Sequence, residues 1–181
     1  MKIALTVGHS ILSNGSCTSA DGRKYGGCNE YKYNKAFSKQ VANALRKNGH
    51  KVDVIICPEK KFTKWQDERT YKLNYINSHD YDLVIELHLN AATPNAHGTE
   101  VLYKSQKGAK YAKPVEKQLS KVFLSRGIQQ RTDLYILNGT NCPAILLETF
   151  FCTSKADYKK AKGLINRKKL AKLIANGISS V

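Results

Sequence analysis

A chain of 181 residues, 41% hydrophobic and 24% charged, is long enough to bury a core without covalent staples and reads as one domain spanning residues 1–181. No apolar stretch approaches the roughly 20 residues of a membrane-spanning helix, and five cysteines without CxxC spacing argue against a disulfide framework or a cysteine-based structural zinc site. The net charge of +16 rests on 24 Lys and only 6 Arg, a bias towards diffuse attraction to a polyanion such as an anionic cell wall or nucleic acid rather than bidentate recognition.

In chain order, Ile3 to Val7 is apolar throughout, as a strand buried on both faces is, and it runs into Gly8-His9. Met1-Lys2 leads straight into that strand with no cleavage-site pattern, so synthesis in a cytosol without a signal peptide is expected. Residues 10–29 are rich in Ser, Gly and Asn and read as a long loop, of the kind that is functional or mobile in a compact domain. Asn29 is a suitable N-cap, and Glu30 suits the positive end of the helix carried by Tyr33, Phe37, Val41, Ala44 and Leu45, which Asn48-Gly49 stops. Lys51 to Cys57 is a second strand. A helix with Arg69, Leu73 and Ile76 on one side follows, and Asp82 to Leu89 is a third strand, ending in His88. Thr99 to Tyr103 reads as a further strand. Ala112, Val115, Leu119, Val122 and Phe123 mark a helix that Pro114 begins or kinks and Gly127 caps. Leu134 to Leu137 and Ala144 to Phe151 read as two more strands. Leu170, Leu173, Ile174 and Ile178 form the stripe of a last helix with a Lys-rich outer face. The alternation predicts an α/β fold, a three-layer αβα sandwich whose mostly parallel sheet of about six strands carries helices on both faces.

This topology has a chemical consequence. In right-handed βαβ units a strand's C-terminus and the next helix's N-terminus share one edge of the sheet, the edge where open α/β sheets hold ligands. His9, Glu30 and His88 are thereby expected at one edge, and Glu148 joins them if its strand runs parallel. Two imidazoles and a carboxylate are a ligand set for zinc that leaves one position open to water, and a second carboxylate is placed to move protons. Each residue also has an ordinary reading. A His at a strand end often only bonds to a loop, and a Glu at a helix start complements the dipole. Glu148 and Glu86 resist that reading, because a carboxylate in an apolar strand must be paired or shifted. No HExxH motif is present.

The strand-terminal Gly8-His9-Ser10, the loop ending in Glu30, the ELHLNA block Glu86–Ala91 and the LLETFF block Leu146–Phe151 together resemble the zinc-dependent N-acetylmuramoyl-L-alanine amidases, in particular the amidase domains of endolysins from clostridial phages. Arg69 and Asn74 fit the same pattern, and the resemblance covers nearly the whole chain. It implies one Zn2+ held by His9, Glu30 and His88, with Glu148 as the catalytic carboxylate. It implies cleavage of the amide between the lactyl group of muramic acid and L-alanine in peptidoglycan. Glu86 departs from the pattern, since many members carry Ser there. It is expected either to orient His88 from behind or to compete for the metal. Asn90 and His97 are expected in the cleft, contacting substrate or supporting the site. A monomeric lysin without specific nucleic-acid binding is expected; the missing signal peptide fits release through the host membrane onto the wall, and the positive charge fits retention there by anionic polymers. Two alternatives stand beside it. A zinc carboxypeptidase or endopeptidase acting on the stem peptide uses the same ligands, and a basic nucleic-acid-binding domain explains the charge but not the buried acids.

Overall fold

The computed structural model describes residues 1–181. Its sheet has six strands, β1 (Lys2–Val7), β2 (Lys51–Ile55), β3 (Leu83–Asn90), β4 (Thr99–Tyr103), β5 (Ser125–Gln130) and β6 (Ala144–Phe151), in the order β2-β1-β3-β6-β4-β5. β2, β1, β3 and β6 run parallel, β4 lies antiparallel to β6, and β5 runs parallel to β4. The helices are α1 (Glu30–Lys47), α2 (Trp65–Asn77), α3 (Gln106–Leu119), α4 (Tyr135–Gly139), α5 (Lys155–Ala161) and α6 (Gly163–Ile178).

The apolar runs of the central strands divide by two-residue alternation into two cores. Ile3, Leu5, Ile85, Leu87, Ile145 and Leu147 face Phe37, Val41 and Leu45 of α1, Val115 and Leu119 of α3, and Ile174 and Ile178 of α6. Ala4, Val84, Ala144 and Leu146 face the other way, onto Ile76 of α2 and Ile136 and Leu137 of α4. The expected three-layer sandwich with helices on both faces is therefore what forms. α3 and α6 approach backbone to backbone, since a Cβ on Gly177 would sit 2.7 Å from the Val115 Cα. No helix is long and apolar enough to cross a membrane.

Three local expectations need correction. Leu134 to Leu137 is not a strand but enters the short helix α4, closed by an Asn138 N–H bond to the Leu134 carbonyl at 3.0 Å. Adjacent Ile136 and Leu137 both pack into the same core with Ile76 and Leu146, whereas consecutive strand residues point to opposite faces. The missing strand is β5, whose polar sequence Ser-Arg-Gly-Ile-Gln-Gln carries no apolar signal because it lies at the sheet edge. Gly127 lies within β5 at φ 78° and does not cap a helix; α3 ends at Leu119, and its start at Gln106 leaves Pro114 inside it. All five cysteines are free.

Candidate metal centre and cleft

β1 delivers His9 through Gly8, whose N–H donates to the Leu87 carbonyl of the neighbouring strand at 3.0 Å. Only glycine fits there, since a Cβ would lie 2.3 Å from Cε1 and Nε2 of His88. His9 itself adopts φ 65°, a left-handed conformation that His visits more readily than most residues with a Cβ. This turn brings its ring edge-on to His88, with centroids 4.8 Å apart.

Glu30 comes over the same edge from the opposite layer. Asn29 caps α1 as expected, its side chain accepting the Lys32 N–H at 3.0 Å. Both Glu30 oxygens are engaged. Oε1 accepts from the Leu89 N–H at 3.0 Å and lies 2.9 Å from His88 Nδ1. Oε2 accepts from the Ala20 N–H at 3.1 Å and lies 3.2 Å from His9 Nε2. The long loop thus contributes a backbone donor that orients the carboxylate. One ligand atom from each of His9, Glu30 and His88 falls within 4.8 Å of the others. Burial opposes charge on Glu30, but the hydrogen bonds from His88 and His9 outweigh it and hold the carboxyl well below the usual range. Two nitrogens and an oxygen at this spacing, on a carboxylate already ionised, fit a divalent cation of the zinc class.

Behind His88 lies Glu86, fully buried. Its Oε2 is 3.4 Å from His88 Nε2, while Oε1 takes hydrogen bonds from Lys72 Nζ at 2.7 Å and the Tyr135 hydroxyl at 2.6 Å. Lys72 also reaches the Val7 carbonyl at 3.2 Å. Desolvation would raise Glu86, yet the Lys72 charge and the His88 contact keep it well below its ordinary value. Burial likewise works against charge on His88, but the bond to Glu30 and the nearby Glu86 carboxylate push it up to about 10. Nδ1 of His88 thus faces the ligand cluster and Nε2 faces Glu86. Neutralised by Lys72, Glu86 stands behind the ring rather than among the gathered ligand atoms.

Glu148 pairs in register with His88 across β3 and β6, and with Glu100 across β4. Its Oε2 is buried without a hydrogen-bond partner. Burial pushes this carboxyl up to about 7, the His88 charge opposing and Glu30, Glu100 and Glu86 reinforcing. The pair of carboxyls is thus split by environment, Glu30 ionised and Glu148 poised near neutrality.

These groups open into one cleft of about 680 Å³. Asn90 borders it and donates to Glu100 Oε1. His97 lies outside the cleft lining, exposed in the turn after β3, its Nδ1 against the Asn95 carbonyl at 2.8 Å. Sequence reasoning did not single out Trp65, Glu68, Lys72 and Tyr135, which also line the cleft. A signal existed for two of them. Glu68, Lys72 and Ile76 recur every fourth residue and form the buried face of α2, polar because buried Glu86 needs a cation opposite it.

Comparison with known proteins agrees with this geometry. Residues 3–180 match the Amidase_3 family model, described as N-acetylmuramoyl-L-alanine amidase. The solved catalytic domain of the CD27L endolysin targeting Clostridia Difficile is 50% identical, with a TM-score of 0.92 over 98% of this chain and 96% of that one. The probable autolysin PH of Staphylococcus aureus is 30% identical over 98% of this chain and 38% of its own length. The N-acetylmuramoyl-L-alanine amidase LytC of Bacillus subtilis is 26% identical over 83% of this chain and 31% of its own. The chain therefore spans less than half the length of either curated relative. With a family model matched almost end to end on a sheet whose carboxyl edge gathers His9, Glu30, His88 and Glu148, this chain belongs to the Amidase_3 family of N-acetylmuramoyl-L-alanine amidases.

Proposed function

We propose that this domain is a zinc-dependent peptidoglycan amidase that hydrolyses the bond between the lactyl group of muramic acid and L-alanine. The observation that carries the reading is the convergence of His9, Glu30 and His88, with the unpartnered Glu148 oxygen bordering the same cleft. His9, Glu30 and His88 would hold the ion. Bound there, zinc supplies acidity to an attacking water and positive charge to the scissile carbonyl. Glu148 accepts a proton from that water on a carboxylate oxygen and returns it to the leaving L-alanine amine, a task matched to a carboxyl near neutrality. Glu86 holds the His88 ring from behind, with Lys72 and Tyr135 keeping it in place. Ala20 and Leu89 fix the Glu30 carboxylate through their N–H groups.

In this reading the chain is the catalytic part of a phage lysin that reaches the wall from the host cytoplasm through the membrane. Its charge of +16 supports retention by anionic wall polymers. The test combines metal analysis with end-group analysis on purified walls, with and without chelator. A new amino terminus at L-alanine, lost on chelation and restored by zinc, is expected. A terminus at any other stem residue would identify a peptidase instead.

A further inference from the structure

Trp65 is the only tryptophan of the chain and the first residue of α2. It is 43% exposed, belongs to neither hydrophobic core, and yet lines the cleft that holds His9, His88 and Glu148. One exposed apolar side chain is ordinary by itself; what marks this indole is its place on the wall of the cleft that gathers the titratable groups, where ligand pockets carry their aromatic side chains. The ring is also held still. One helical turn on, the Arg69 guanidinium stacks 3.9 Å from the indole centroid, and it lies 5.0 Å from the Tyr135 ring. Tyr135 is anchored in turn by its hydroxyl on Glu86. The stack runs Trp65, Arg69, Tyr135, Glu86, and so joins the cleft wall to the group behind His88. Arg69 covers part of the indole, which still lines the cleft and stays open to solvent. A flat, rigid, exposed aromatic suits a partner with an apolar C–H face and polar edges, which describes a pyranose ring better than a flexible, charged peptide.

We propose that Trp65 is a sugar platform, on which one pyranose ring of the glycan strand stacks while the lactyl amide lies beside Glu148. This rests on the amidase reading above and deepens it. It assigns the glycan, rather than the stem peptide, to the α2 wall of the cleft.

Because the chain has one tryptophan, its emission reports this site directly. The metal-loaded protein is titrated with two probes that it does not turn over, a peptide-free glycan tetrasaccharide of alternating N-acetylglucosamine and muramic acid, and the free stem peptide beginning with L-alanine. The glycan is expected to change the emission saturably, and the peptide to leave it unmoved. Trp65→Ala should raise KM on glycan-bearing substrate by about tenfold, with most of the loss in KM rather than kcat, and Trp65→Phe should recover most of it. A response to the peptide alone, a response to neither probe, or an unchanged KM in Trp65→Ala overturns the assignment. Failure of the amidase reading shows elsewhere, as parental product whose new amino terminus is not L-alanine.

Discussion

Glutamine in place of Glu148 keeps the shape of the side chain and removes its charge. Burial holds the folded carboxyl near 7 against an ordinary value of 4.5. With the folded value raised, the group favours folding fully below about 4.5, and that contribution disappears as pH rises through about 7. The gap, at about 1.4 kcal/mol per tenfold, corresponds to roughly 3 kcal/mol. Glu148 is only half-buried at the cleft wall, and screening there brings the expected effect to about 2 kcal/mol. Glu148→Gln should therefore gain about 2 kcal/mol on the parent between about pH 4 and about pH 8. Urea midpoints of both chelated proteins across that range measure it, because every other titrating group is common to the pair. The same substitution removes the proposed proton carrier, so kcat should fall by about 10²- to 10⁴-fold. Parental kcat/KM should rise with pH as Glu148 ionises, and a bound dication would move that limb lower. Stability curves that stay parallel with pH, or a variant with parental turnover, would refute the reasoning.

His88→Ala should lose zinc as well as activity, as metal content after dialysis shows, whereas Glu148→Gln should keep its metal. Lys72→Met strands the buried Glu86 charge and should cost about 3–5 kcal/mol in chemical denaturation, while Lys72→Met with Glu86→Gln should recover much of it. Phe37→Ala empties a fully buried site in the α1 core and should cost about 3–5 kcal/mol without changing metal stoichiometry. Lysis of walls should decline as salt rises from about 0.05 to about 0.5 M. Flat lysis over that range would remove the role of charge and leave the chemistry intact.

Much of the site was legible because its parts stand at element ends. His9 and His88 close apolar runs and Glu148 interrupts one, patterns set by burial on both faces of a parallel strand, while Glu30 follows an N-cap at a helix start. Edge and wall features were less so. β5 pairs on one side only and needs no apolar signature, so its polar sequence reads as loop. α4 and the 134–137 segment have the same apolar content as a short strand, and only packing on the sheet decides between them. Lys72 reads as a solvated lysine until Glu86 is placed opposite it.

Periodicity, caps and chain breaks, all local interactions, determined most of the strands and helices, β5 and α4 excepted, and which residues stand at their ends. Tertiary structure decided the rest. β3 lies between β1 and β6, which sets His88 beside Glu148; α1 crosses the edge so that Glu30 lies between two imidazoles; and Lys72, Tyr135 and Trp65 line one wall. Those placements depend on strand pairing and burial between residues up to a hundred positions or more apart, and no window along the chain contains both partners.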